Sequence, residues 1–296
     1  MLGIINLNKP TGKTSHDMVS FVRRTLGIRR VGHAGTLDPE ASGVLPILVG
    51  KATALSELLT DKTKSYTAGV RLGIETDTYD ITGEITASSP IRPTAEEIQK
   101  GAESFVGIIE QVPPMYSAIK VGGKKLYDLA RQGITVERKP RQIEIFDISC
   151  FDYTEDGFSV EVSCSKGTYI RSLCHDLGKT LGTCACMASL VRSRSGPFSI
   201  TEAVTPQELT MAAENGRINE VLLPPEAVLS DYPAVDVPPE MAQRVKNGLR
   251  YRVGQLGLTA KEGDRFRLYE GETLLCLAKA VSGAEGLVLA IEVSFY

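Results

Sequence analysis

The chain has 296 residues, 42% of them hydrophobic and 23% charged, which is the balance of a soluble globular protein with room for one large domain and a smaller one. Its net charge of −3 does not advertise a nucleic-acid partner, although phosphates respond to local patches rather than to totals. No apolar run approaches the ~20 residues of a membrane span, and Met1 to Asn6 lacks the basic and long apolar segments of a signal peptide, so a cytoplasmic protein with no membrane partner is expected.

Ile4 to Leu7 reads as a short strand, and Val19, Val22 and Leu26 recur at helical spacing in a helix from about Ser15 to Leu26. Gly12-Lys13-Thr14 before that helix looks like the end of a phosphate-binding loop. The full motif needs a glycine where Leu7 stands, so nucleotide hydrolysis is a weak alternative. Val31 to Pro46 holds three glycines and two prolines in sixteen residues and reads as a tight loop presenting Asp38, with His33 five residues before it. Asp38 there is either an active-site carboxylate or the side chain of an Asx turn. Val44 to Val49 is a buried strand, Ala52 to Leu59 a short helix, and Ser65 to Leu72 a half-buried strand with Tyr66, Ala68, Val70 and Leu72 on one face.

An acidic turn follows at Thr76 to Asp80, and Thr94 with Glu97 is a capping box for a helix ending near Phe105. Between Ile119 and Gln142 stand seven basic residues, among them Lys120, Lys124 and Lys125, against Asp128 and Glu137. Leu126 to Arg131 reads as a short helix, Gln142 to Phe151 and Phe158 to Cys164 as a strand pair, and Thr168 to Leu181 as a helix. Cys174-His175 and Cys184-Ala185-Cys186 match no paired C-x-x-C spacing, so reduced thiols and no metal are expected. Five prolines from Pro224 to Pro239 suggest a linker. Beyond it come a helix at Pro239 to Lys246 and strands at Arg265 to Tyr269, Leu274 to Ala280 and Leu287 to Val293, a small β-rich module.

The string Gly32-His33-Ala34-Gly35-Thr36-Leu37-Asp38-Pro39, continued by Ala41-Ser42-Gly43-Val44-Leu45, resembles the catalytic loop of the TruB family of tRNA pseudouridine synthases. Lys9-Pro10 with Gly12 and Thr14-Ser15, Gln111 to Ala118, Lys166-Gly167-Thr168-Tyr169-Ile170-Arg171 and Ala188 to Arg192 resemble further strings of that family, so the likeness covers residues 2 to about 230 and weakens afterwards. It implies an α+β pseudouridine synthase fold with a mostly antiparallel central sheet over residues 1–230. A thumb insertion at about 117–143 and a PUA-like RNA-binding module at 233–296 complete the expected layout.

The same resemblance assigns roles. Asp38 is the catalytic carboxylate, either attacking C1′ or taking a sugar proton. Tyr66 stacks on the target base, Tyr169, Arg171 and Leu190 line the pocket, and Asp80 pairs with Arg171. His33 holds the opened RNA loop by stacking or a phosphate contact. Lys9 braces the loop, and Lys120, Lys124 and Lys125 contact RNA from the thumb. The implied reaction converts uridine to pseudouridine at position 55 of the tRNA T-arm, without cofactor or obligate protein partner. A guide-dependent ribosomal RNA enzyme and a tRNA-folding chaperone without chemistry are the alternatives.

Overall fold

Alternating and continuous apolar runs join one sheet of the computed structural model, which describes residues 1–117, 119–248, 250–284 and 286–296, and every side chain among them except those of Lys120 and Lys125. The alternating run is the Lys64–Leu72 strand, whose residues are buried and half-buried by turns. The continuous run is the Ser42–Val49 strand, buried from Gly43 onward because both its faces are covered. The main path of the sheet runs Gly3–Lys9, Ser42–Val49, Ala185–Ser195, Lys64–Leu72, Gly157–Cys164, Arg141–Thr154, Gly107–Gln111. Ser42–Val49 lies parallel to Ala185–Ser195, and every other neighbouring pair on the path is antiparallel.

One face carries four helices. Met18, Val19 and Val22 of Ser15–Leu26, Ile98 and Ala102 of Ala95–Glu103, Leu173 and Leu177 of Ile170–Thr180, and Leu209 of Pro206–Glu214 join Leu7, Leu45, Ile47, Ala68 and Val162 in the main core. Each buried leucine contributes about 1.5–3 kcal/mol. The predicted capping box at Thr94 and Glu97 forms, and Thr14 with Asp17 makes another at the first helix. Ala52 to Leu59 is not one helix: a 3-10 turn at Gly50–Leu55 runs into Ser56–Thr60.

The basic insertion is a hairpin, Lys120–Val121 against Lys124–Lys125, followed by the helix Leu126–Ala130. Gly122 and Gly123 both have positive φ, which a two-residue hairpin turn requires. Leu126 and Leu129 pack with Met115 in a small core of their own.

The C-terminal strands form a second sheet in the order Ala234–Asp236, Arg265–Glu270, Thr273–Gly283, Gly286–Ser294, Tyr251–Arg252. The proline-rich stretch before it is not the free linker the sequence suggests. Pro225–Val228 is a 3-10 turn, and Val228 and Leu229 are buried in a core shared by Val44, Leu48 and Leu55 on one side and Leu274, Leu277 and Val293 on the other. Pro225 and Pro239 open short helices, where a missing N–H is harmless. Among the described residues no helix is long and apolar enough to cross a membrane.

Candidate active site

The loop after the Val31–His33 strand is fastened from three sides. Ser15, at the start of the first helix, accepts a hydrogen bond from the Leu37 amide (2.8 Å) and donates one to the Leu37 carbonyl (3.1 Å). Lys9 is fully buried, and its Nζ donates to the carbonyls of Lys13 (2.6 Å), Pro10 (2.9 Å) and Pro39 (3.1 Å). Burial lowers the Lys9 pKa, with Glu40 and Asp38 pulling it back up. Arg192, 1% exposed, donates from Nε to the Val44 carbonyl (2.7 Å) and from Nη2 to the Gly35 carbonyl (3.0 Å). Gly43 has φ +102°, and a Cβ there would lie 2.3 Å from the Arg192 carbonyl oxygen, so no larger residue fits.

Asp38 emerges from this frame with its side chain 44% exposed and Oδ2 3.0 Å from Nη2 of Arg171. The carboxylate therefore meets a guanidinium, and among the described residues it closes no Asx turn. Arg171 sits in the first turn of Ile170–Thr180 with its side chain only 7% exposed. It lies 3.6 Å from Asp80 and donates to the carbonyls of Tyr116 (2.9 Å) and Thr78 (3.3 Å). Asp80 accepts in turn from the Thr78 hydroxyl (2.9 Å) and the Thr82 amide (3.1 Å). A buried guanidinium needs such a set of acceptors, because removing one partner of a buried ion pair costs about 3–5 kcal/mol.

Tyr66 is opposite Arg192 and Val162 in the sheet and is 8% exposed. Burial holds its hydroxyl pKa above the usual value, and Arg192 opposes that shift by its charge and a hydrogen bond. Leu190, also 8% exposed, lies opposite Ala68. Tyr169 caps the helix that carries Arg171. Its backbone is held from both ends by Gln111, which accepts from its amide (2.8 Å) and donates to its carbonyl (3.0 Å). His33 ends its strand with its carbonyl accepting from Ser56 (3.3 Å), and its Nδ1 is buried without a partner among the described residues. Burial, seconded by the Arg192 charge, pushes the His33 pKa down.

Asp38, Arg171 and Asp80 thus share one network, Lys9 braces the loop through backbone carbonyls beside it, and Tyr66 and Tyr169 are close enough to feel the Asp38 charge. Lys124 is exposed on the hairpin and takes no part in these contacts, and the side chains of Lys120 and Lys125 lie outside the described residues. Sequence reading missed the role of Arg192. It shares strand phase with buried Leu190, and that was the available signal. The pair of hydrogen bonds between Gln111 and Tyr169 joins residues 58 apart and left no local trace.

A half-exposed carboxylate against a buried guanidinium, with a phenol beside them, suits chemistry at an electrophilic or acidic carbon of a bound substrate. Residues 23–170 match the model of the TruB family pseudouridylate synthase N-terminal domain, and residues 171–230 match the tRNA pseudouridylate synthase B C-terminal domain. Two solved structures share the fold. One is an H/ACA RNP bound to a substrate RNA containing 2′-deoxyuridine (TM-score 0.75, 26% identity, 99% of this chain and 85% of that one). The other is an archaeal box H/ACA sRNP Nop10-Cbf5 complex (TM-score 0.74, 26% identity, 99% and 86%). The fold and the family models together are those of a pseudouridine synthase.

Curated relatives narrow the class. The tRNA pseudouridine synthase B of Geobacillus kaustophilus is 46% identical over 86% of this chain and 92% of its own length, and that of Moorella thermoacetica is 42% identical over 98% and 97%. The chain belongs to the TruB family of pseudouridylate synthases, and it is an enzyme that isomerises uridine in tRNA.

Proposed function

We propose that the protein converts uridine to pseudouridine at position 55, in the T-arm loop of tRNA, with Asp38 as the reacting carboxylate. The observation that carries this reading is the Asp38–Arg171 pair: the carboxylate is open to a substrate while its cation is buried. Isomerisation breaks the N1–C1′ bond, turns the base and joins C5 to C1′, so it transfers nothing from outside and needs no redox partner. The target base leaves the RNA stack to reach the pocket. Tyr66 supplies a π surface for it, Leu190 and Tyr169 bound it, and Arg171 holds Asp38 in place. Asp38 acts at C1′ or on the neighbouring sugar proton, and His33 holds the opened RNA loop by stacking or a phosphate contact.

Residues 1–230 do this chemistry, and residues 233–296 serve as a PUA-like RNA-contacting module. The likeness to H/ACA proteins raises a second reading, a guide-dependent enzyme. The basic hairpin within 117–143 supports the stand-alone reading, since it offers the protein's own grip on RNA phosphates. Purified protein should therefore release tritium from a T-arm stem-loop tritiated at C5 of uridine 55, with no guide RNA and no second protein. Asp38→Asn should abolish release while RNA affinity stays within about tenfold, roughly 1.4 kcal/mol. Turnover by Asp38→Asn, or dependence on a guide, refutes the assignment.

A further inference from the structure

The turn that faces Arg171 is held from behind by a contact that plays no part in the reading above. Tyr79 lies between Thr78, whose carbonyl accepts from Arg171, and Asp80, which pairs with Arg171. Its φ is +63°, a left-handed bend that a bulky side chain rarely adopts. The backbone of the bend is tied down by Tyr79 N–H to Thr76 carbonyl (3.2 Å) and by Met187 N–H to Tyr79 carbonyl (3.0 Å). Its ring stacks on His175, with centroids 3.8 Å apart and planes at 18°.

His175 is 3% exposed and stands four residues after Arg171, one turn along the same helix face. Its Nδ1 lies 3.2 Å from Asp176 and its Nε2 3.3 Å from Glu75, the latter outside hydrogen-bond geometry. The imidazole has one hydrogen-bonded edge, Nδ1 with Asp176, and one stacked face, and the face is what reaches Tyr79 in the turn. One helix thus grips one turn twice, through the Arg171 guanidinium and through the His175 ring.

We propose that His175 is a positioning residue for uridine isomerisation: its stack on Tyr79 holds the left-handed bend that presents the Thr78 carbonyl and Asp80 to Arg171, and through Arg171 it orients Asp38. This rests on the reading of Asp38 as the reacting carboxylate. No atom of His175 touches the substrate, so the loss should appear in turnover and not in RNA binding.

The test is steady-state tritium release from the T-arm stem-loop. His175→Ala should lower kcat about tenfold with KM within about twofold, as expected for a small misplacement of a reacting group. His175→Phe keeps a ring for the stack and should restore kcat to within about threefold of wild type. Tyr79→Gly adopts the bend freely but lacks the ring, and should behave like His175→Ala, whereas Tyr79→Phe should stay close to wild type. On an Asp80→Asn background, His175→Ala should cost less than it does in wild type, because the two share the Asp80–Arg171 contact and differ only in the Thr78 one. A purely structural histidine would instead give additive losses, no rescue by phenylalanine, or unchanged kcat, and any of these overturns the proposal. If His175→Ala does not fold, the Tyr79→Gly and Tyr79→Phe pair decides it. Asp38→Asn in the same assay separates the two readings: its activity would overturn the assignment of the site, whereas its inactivity beside a fully active His175→Ala would overturn this inference alone.

Discussion

Lys64 is a buried cation whose ammonium group donates, among the described residues, to the carbonyls of Thr60 and Lys62, each at 2.6 Å. Burial, with Arg192 nearby, brings its pKa down to about 8. An unfolded chain keeps a lysine protonated to a pH of about 10.4. From pH 8 upward the native state gives up this proton first, the unfolded state binds more protons, and stability from this group rises with pH. Below pH 8 both states hold the proton and no such gain exists. Urea unfolding of wild type and Lys64→Met at pH 7 and pH 9.5 should show wild type gaining on the variant at the higher pH, and a constant difference would disprove the shift. The sequence exposed only part of this charged frame. Asp38 stands in a loop dense with glycine and proline and so draws attention, whereas Asp80, Arg171 and Lys9 come to notice through the family resemblance. Arg192 and Lys64 look like surface charges, because what buries them comes from strands distant in the chain.

Strand reading found those at Val44 to Val49, Ser65 to Leu72 and Gln142 to Phe151 but missed the central one at Ala185–Ser195. Lys64–Leu72 alternates without interruption and is legible. Ala185–Ser195, at the centre of the sheet, has irregularities between Met187 and Ser189 and between Arg192 and Arg194, so its buried positions change parity and no period of two survives. In the basic insertion Gly122-Gly123 marks a turn, while the two-residue strands on either side of it are too short for any period to show. On the proposed reading its lysines meet RNA phosphates. Replacing Lys120, Lys124 and Lys125 with alanine should weaken tRNA binding at low salt and reduce the slope of log K against log salt by about 2 to 3. An unchanged slope would make the hairpin an ordinary solvated surface.

At the scale of the molecule, the two sheets are not beads on a string. Leu277 of the C-terminal sheet is fully buried in the core that also holds Val44 and Leu48, on the strand that follows the Asp38 loop. Leu277→Ala should therefore cost about 2–5 kcal/mol, and the whole chain should still unfold in one transition. Two separated transitions would show that the sheets are energetically independent. Composition near the prolines could not reveal this, because a run that packs against two sheets and a run that tethers them use the same residues. The parallel pairing of Ser42–Val49 with Ala185–Ser195 also sets a timetable. Arg192 leaves the ribosome about 150 residues after Asp38, an interval of roughly 8–30 s at ordinary synthesis rates. Through that interval the Asp38 loop exists without the Gly35 and Val44 anchors that Arg192 supplies, and for most of it without Arg171. On the proposed reading, a chain cut short in that window carries the aspartate but no finished pocket, and should not act on tRNA until its central strand has been made.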